Sequence, residues 1–450
     1  MLKRLEQGLK LRPNEWRLVL TLMGLLALNT LVLELADVVA MAGFISSLGT
    51  EQLLWLWPVG MLLTIVAAGS YALIVDRTER VRLIQRLLAG FGACYLAILG
   101  LFWLSAPAWL IYPALSILNE QQYAIFPLAF WALANDIYAT SEAKRLFPLL
   151  GAGATIGSLL GNGLAALIAT WLVGSDQQNT SLVLGLCAVL CFLGIGQVWL
   201  MFHKHPVRAR QSKTERESIR ETFKVGADVI RHVPLFSLLA LVLFTTGLAL
   251  TVVEFHFLRS IDQIAAADPL RFQQVYGSYK LAFVVMLLAF QWLLAGRLLS
   301  TTSPKQGFIA LPIVLLLCIL GALVQPLIGG LIGRFGARLA QSGWDEPLRK
   351  SVQSIIPDER RGRVSVFLDS YCYSFATIVG CGVISVLLLP SWLGELAASV
   401  STLIYLGFAA VATAVGLWAA WRIRHVYDKS LLNWRLSRSR RRSVLDGIEF

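Results

Sequence analysis

The sequence predicts an all-α polytopic membrane protein of twelve transmembrane helices in a six-plus-six arrangement, on three observations. Apolar residues make up 57% of the 450 positions and charged residues only 15%, with mean hydropathy +0.68; a soluble domain runs near ~25% charged. Such a chain lacks the polar residues to coat water-facing domains, and the same numbers exclude disorder, collagen, coiled coil and a disulfide scaffold. Second, twelve apolar stretches of about 18–25 residues can each cross ~30 Å of hydrocarbon as a helix. Third, the cations are one-sided. With the N-terminus inside, roughly 34 of the 39 Lys and Arg fall on the cytoplasmic face, and Arg259 and Arg271 lie outside. The net charge of +12 is therefore read as topology, with the lipid bilayer as partner and no nucleic acid.

The elements follow in order. Residues 1–17 form a basic cytoplasmic N-terminus, and the run 18–43 is too long for a signal peptide and carries Glu34 and Asp37, so it reads as an uncleaved first helix. The second, 53–75, is closed by Asp76-Arg77, and the third is 86–104. The fourth, 111–138, holds Glu120, Gln121 and Gln122; the fifth, 148–172, follows Lys144-Arg145 and carries Gly151, Gly153, Gly157, Gly161 and Gly163 at small-xxx-small spacings. The sixth, 181–202, contains Cys187 and Cys191, read with the other four cysteines as small apolar packing. Residues 203–235 are a charged cytoplasmic linker in which Ile219, Phe223, Val229 and Ile230 mark an amphipathic surface helix. Helix seven, 236–258, places Glu254 and His256 near its outer end, and helix eight, 276–297, carries Lys280. Helix nine is 307–324, and helix ten, 325–343, is glycine-rich around Arg334 and Arg338. Helix eleven, 365–390, begins near Asp369, and helix twelve, 401–421, precedes a basic tail, 422–450, whose Arg435–Arg442 run offers a contact for anionic lipid.

The two halves echo each other. Arg77 closes helix two and Arg297 closes helix eight, 220 residues on; Arg145 precedes helix five and Arg363 precedes helix eleven, 218 residues on. A near-constant offset argues for internal duplication, with bundles at 18–202 and 236–421. Six plus six helices as parallel repeats is the architecture of the major facilitator superfamily. Asp76-Arg77-Thr78-Glu79-Arg80 resembles that superfamily's D-R-x-x-R motif, which latches the cytoplasmic gate.

Ionisable groups at membrane depth cost about 2.5–3.5 kcal/mol each and need a reason. They fall on helices one, four, seven and ten, the set that lines the central cavity in that superfamily, together with Lys280 on helix eight and Asp369 on helix eleven. Glu34 and Asp37 are i,i+3 and Arg334 and Arg338 are i,i+4, so each pair shares a face. The expectation is that the two anions of the first half confront the two cations of the second, with Glu34, Asp37, Glu120, Gln121, Lys280, Arg334 and Arg338 binding substrate or carrying protons. Glu254, His256 and Asp369 are secondary candidates. No P-loop, GxSxG, HExxH or nucleotide fingerprint occurs, so neither an enzyme, a metal site nor a cofactor is expected.

From helix four into helix five the chain reads Phe130-Trp131-Ala132-Leu133-Ala134-Asn135-Asp136-Ile137, then Glu142-Ala143-Lys144-Arg145-Leu146-Phe147-Pro148-Leu149-Leu150-Gly151-Ala152-Gly153-Ala154. This resembles the signature of the non-mitochondrial ATP/ADP translocases of plastids and intracellular bacteria, F-W-x-x-A-N-E-I followed by E-A-K-R-F-Y-P-L-F-G-x-G-A. Trp344 to Asp369, with Ile356-Pro357-Asp358-Glu359 and Gly362-Arg363, is a looser counterpart in the second half. The resemblance implies nucleotide exchange, with basic residues gripping phosphates, and a bacterial inner membrane is the expected location. Because the matching block sits at the cytoplasmic surface, Asn135, Asp136, Glu142, Lys144, Arg145 and Arg363 are expected to serve a cytoplasmic gate together with Asp76 and Arg77 of the D-R-x-x-R motif. Where the family's first helix carries K-D-T-L-V, this chain has Leu28-Asn29-Thr30-Leu31-Val32. Lys280, Arg334 and Arg338 must also face at least three carboxylates, a poor match to a polyphosphate.

The expected function is a secondary transporter working by alternating access, moving a smaller organic anion or zwitterion, with proton coupling through Glu34, Asp37 or Glu120. Nucleotide exchange is the alternative, and a non-transporting membrane scaffold is the second. Both termini are placed in the cytoplasm; substrate identity, coupling ion and oligomeric state are left open.

Overall fold

The computed structural model describes residues 15–75, 78–138, 140–172, 175–203, 234–295, 303–353 and 367–445. Among them are twelve long helices: α1 Glu15–Leu48, α2 Leu53–Val75, α3 Arg80–Trp103, α4 Ala108–Ile137, α5 Thr140–Leu167, α6 Asp176–Phe202, α7 Pro234–Ala265, α8 Pro269–Phe290, α9 Ala310–Val324, α10 Pro326–Ala340, α11 Cys372–Trp392 and α12 Ala398–Leu445. The fold is all-α, and the chain is an integral membrane protein. Ten of these helical stretches are long and apolar enough to span a bilayer by themselves. The two that fall short are α4, interrupted by Asn119–Gln122, and α10, short and carrying Arg334 and Arg338. Polarity in these two helices is where function is to be sought.

Local signals place the helix ends. Ser175 caps α6 by accepting the Gln178 N–H, and Asp268 Oδ1 accepts the N–H groups of Leu270 and Arg271 ahead of α8. Proline opens α7, α8 and α10, where its missing N–H costs nothing. Gly49, at φ 89°, turns the chain out of α1. Four helices run into π-helical turns: Ile168–Leu172 after α5, Gln291–Ala295 after α8, Gln341–Asp345 after α10 and Phe367–Tyr371 before α11. Helix α7 extends to Ala265, beyond the expected end at 258. Helix α12 continues through Leu445, across the boundary expected at 421, because residues 422–445 contain no Gly or Pro to stop it.

Packing divides the chain into two compact units. Unit 1 comprises residues 1–56, 62–217 and 261–286, and unit 2 residues 57–61, 218–260 and 287–450. In unit 1, α1 packs on α4, α5 and α6, and α3 on α4 and α6. In unit 2, α9 packs on α10 and α12, and α11 on α12. A core there joins Leu235, Phe236 and Leu239 of α7 with Phe308, Leu348, Ala420 and Ile423. Large apolar side chains such as Leu193, Val324, Ile332 and Val411 remain exposed. Trp103, Trp199 and Trp292 do so as well, at or near helix ends. Such a surface suits lipid, with tryptophan favoured at the interfaces.

Candidate functional site

The sequence-predicted residues fall into two charged clusters, one in each unit. Unit 1 is organised by a glycine stripe. A Cβ on Gly153 would strike the carbonyl of Met23, one on Gly157 the carbonyl of Ala27, and one on Gly161 the backbone of Leu31 and the Cβ of Glu34. Glycine at every fourth position therefore lets the α5 backbone lie directly on α1. This close approach carries Ser158 and Asn162 to the acidic stretch Glu34–Asp37 in the interior of α1. Ser158 Oγ donates to Glu34 Oε1 at 2.6 Å, and Asn162 Nδ2 donates to Ser158 O at 2.9 Å.

Lys280, on α8, closes the cluster. Its Nζ lies 2.5 Å from Glu34 Oε2 and 2.7 Å from Asp37 Oδ2, and 5.4 Å from the centre of the Tyr276 ring. Tyr276 Oη donates to Asp37 Oδ2 at 3.2 Å, and Asn119 Nδ2 approaches Asp37 Oδ1 at 3.5 Å. Two carboxylates face one ammonium, so the triad holds a net charge of −1. Glu120, on α4, is half-buried and close enough to Asp37 for their charges to interact. It makes no hydrogen bond or ion pair with the described residues. Gln121 points elsewhere, donating to Thr64 Oγ1 at 3.1 Å. Gln122, fully buried, accepts from Tyr95 Oη and donates to Asn29 Oδ1, each at 2.9 Å. Asn29 thus ties α1 to α4 through a neutral bond.

In unit 2, α10 presents two arginines to one acid on α7. Arg334 grips Glu254 through two parallel bonds, Nε to Oε2 and one terminal guanidinium nitrogen to Oε1, each 3.0 Å, and its guanidinium lies 4.5 Å from the centre of the Phe257 ring. This fork geometry is the strong form of an arginine–carboxylate pair. Arg338 reaches Glu254 Oε2 at 3.2 Å and Gln341 Oε1 at 3.3 Å. Gln341 opens the π-helical turn after α10. The Arg334 side chain is 9% exposed and that of Arg338 30%. Two guanidiniums thus converge on one carboxylate here, where unit 1 sets two carboxylates around one ammonium.

Within each unit the expected charges meet local partners: Lys280 pairs with Glu34 and Asp37, and Glu254 with Arg334 and Arg338. Glu254 and His256 are not at an interfacial helix end, since α7 continues about three turns past Glu254. A desolvated charge takes the counter-charge its own packing supplies, here the arginines of α10 against Glu254 of α7. His256, also buried, bonds through Nε2 to Pro326 O at 2.9 Å and through Nδ1 to Tyr405 Oη at 2.8 Å. Because a carbonyl only accepts, Nε2 carries the proton, and in the neutral ring Nδ1 accepts from Tyr405. His256 thereby ties the first residue of α10 to α7 and α12.

Of the gate residues, Asp136 pairs with Arg80 at 3.3 Å, and one terminal nitrogen of Arg145 bridges both oxygens of Glu15 at 2.8 and 2.9 Å. Asn135 is exposed and Glu142 half-buried. Asp76, Arg77 and Arg363, most of the linker and residues 446–450 of the tail lie outside the described residues, as do the side chains of Lys144, Asp369 and the Arg435–Arg442 run. Sequence reasoning missed Ser158, Asn162 and Tyr276. Ser158 and Asn162 are i,i+4 within the glycine stripe, a polar face on an otherwise small-residue helix, and that spacing was the available signal.

Comparison with known proteins adds a family. The family model described as TLC ATP/ADP transporter matches residues 95–325. ADP,ATP carrier protein 1 of Chlamydia trachomatis is 25% identical over 206 residues, covering 42% of this chain and 38% of that protein, so the match spans well under half the curated relative's length. Among solved structures, a bacterial homolog of the human lysosomal transporter Spinster aligns with TM-score 0.61 at 13% identity, over 94% of this chain and 99% of that one. The POT family transporter PepTSo aligns with 0.63 at 13% identity, over 92% and 99%. The nucleoside transporter NupG aligns with 0.60 at 12% identity, over 88% and 99%. Likeness at this level establishes the shared transporter fold of the major facilitator type and nothing of the cargo.

Proposed function

The chain belongs to the TLC ATP/ADP transporter family, and from that premise we propose that this membrane transporter carries a small organic anion or zwitterion, with Arg338 and Arg334 as the anion grip and a proton as coupling ion. The observation that supports the reading is the convergence of two guanidiniums on the one carboxylate of Glu254, with the Arg338 side chain 30% exposed and so within reach of an anionic group. Arg334, clamped in its fork and set against Phe257, fixes the geometry, and the more exposed Arg338 meets the substrate. Glu120, half-buried and beside Asp37, takes the proton. Transport proceeds by alternating access, the bundles rocking as substrate and proton favour one state over the other. Both termini lie in the cytoplasm, on the side where the cations gather, and a bacterial relative supports a cell membrane as the location.

Family membership and the Chlamydia carrier favour a second reading, nucleotide exchange. Against it stands the occupancy of the cations: Lys280 is held by two carboxylates, and Arg334 and Arg338 share a third. A polyphosphate would have to displace acids to gain cations, at a cost of several kcal/mol for each buried charge stranded. The test is thermal unfolding of the purified full-length protein against a panel of small carboxylates, amino acids, ADP and ATP. A small anion should raise Tm in the wild type and lose that effect in Arg338→Gln, with ADP and ATP inert. Saturable stabilisation by ATP that disappears in the same variant would replace this reading with nucleotide exchange.

A further inference from the structure

The internal repeat makes the two clusters comparable position by position. Glu34 and Glu254 are 220 residues apart, and Glu120 and Arg338 are 218 apart, the same offsets that separate Arg77 from Arg297 and Arg145 from Arg363. Unit 2 follows a simple rule: the α7 acid is neutralised by a cation on α10, Arg338 reaching Glu254 at 3.2 Å. In unit 1 the position equivalent to Arg338 is Glu120, a carboxylate where the sister unit has a guanidinium. Lys280 on α8 supplies one positive charge to Glu34 and Asp37, and with the proton on Glu120 one negative charge is still uncompensated.

A second observation points to what compensates it. Asn162 is fully buried, and its Oδ1 has no hydrogen-bond donor among the described residues, although its Nδ2 is fixed on Ser158, the residue that donates to Glu34. Asn119, whose Nδ2 faces Asp37, likewise has a buried Oδ1 without a donor. Buried acceptors are rarely left bare in a folded protein. Two asparagines that adjoin the carboxylates through their amide nitrogens thus each keep an amide oxygen in reserve, and a small turn of either side chain would add that oxygen to the carboxylates as a ligand for a hard monovalent cation or a primary ammonium group. The Glu34 and Asp37 side chains retain 21% and 23% of their exposure, so such a group can reach them.

We propose that Glu34, Asp37, Asn119 and Asn162 form a binding site for one monovalent cation, an alkali-metal ion or a primary ammonium group, with Lys280 as a tethered cation that competes for the same oxygens. The proposal rests on the transport reading only in giving the proton to Glu120. For a zwitterionic substrate the ammonium group is the natural occupant; otherwise the occupant is a co-transported ion.

The test is thermal unfolding of the full-length protein in choline chloride, titrated at constant ionic strength with sodium chloride or methylammonium chloride. At least one of the two should stabilise the protein saturably. Sodium alone identifies an inorganic ion, methylammonium alone an amine, and both together a site that accepts either. Lys280→Met should tighten the response about ten-fold by removing the tethered competitor. Asn162→Ala, which removes an oxygen but no charge, should weaken it at least five-fold, and a folded Glu34→Gln should abolish it. No saturable response in the wild type overturns the proposal, and so does an affinity unchanged in both Lys280→Met and Asn162→Ala. The readout needs no substrate. Lost cation binding with substrate binding intact rejects this inference alone, and the reverse result rejects only the assignment of the anion grip.

Discussion

Glu254 is one carboxylate shared by two guanidiniums of unit 2. Replacing it with alanine removes the acid that both arginines grip, and breaking a buried pair costs about 3–5 kcal/mol. Glu254→Ala is therefore expected to lower the Tm of the purified protein sharply. Arg338→Gln should lower it little, since Arg338 is more exposed and Arg334 retains its two-bond grip on Glu254. Equal losses in the two variants, measured by thermal unfolding, would mean that Arg338 is structural rather than a substrate grip. The charged residues themselves were legible in the sequence, because an ionised group inside an apolar run is conspicuous. Their partners were not. Pairing depends on helix rotation and packing, and Glu254 is matched to Arg334 only by the contact between α7 and α10. The neutral partners Ser158, Asn162 and Tyr276 carry no charge to draw attention, and their roles emerge only from the contact of α5 and α8 with α1.

At the scale of the element, the α1–α5 contact shows how pattern becomes a site. The glycines at 153, 157 and 161 were legible as small-xxx-small spacing, and each meets the α1 backbone or the Cβ of Glu34. Gly151, in the same helix, has open space where a Cβ would sit. Gly157→Val should force α5 away from α1, costing about 1–3 kcal/mol by overpacking and lifting Ser158 from Glu34. Gly151→Val should be close to neutral. Thermal unfolding of the two variants side by side checks this, and equal behaviour would show that the stripe does not hold the contact. The helices that hydropathy describes least well, α4 and α10, carry Asn119–Gln122 and the two arginines Arg334 and Arg338, whereas the acids on α1 and α7 and Lys280 on α8 are diluted in longer apolar runs. The π-helical turns had no legible signal, since they arise from local backbone packing. One of them brings Gln341 to Arg338.

For the whole molecule, composition and hydrophobic run length were sufficient for a polytopic helical fold, because a bilayer admits few alternatives for a spanning backbone. The offset of about 220 residues pointed to the duplication, and the solved transporters to which the chain is similar share that architecture. The family was legible in residues 130–154, a stretch within the matched region 95–325. Cargo was not legible in the same way, because the family stretch at 130–154 lies at the α4–α5 helix ends, away from the interior charges to which we assign cargo binding. Asn29 stands where the translocase signature has aspartate, and it is bonded to Gln122 rather than to a cation.

The most direct measurement is uptake into proteoliposomes under an inward proton gradient, comparing a labelled small carboxylate or amino acid identified by thermal shift with labelled ATP in vesicles preloaded with ADP. Gradient-dependent uptake of the small solute is expected, at least ten-fold reduced in Arg338→Gln and uncoupled from the gradient in Glu120→Gln, with no ATP uptake. ATP uptake that requires internal ADP and is indifferent to the proton gradient would contradict the account.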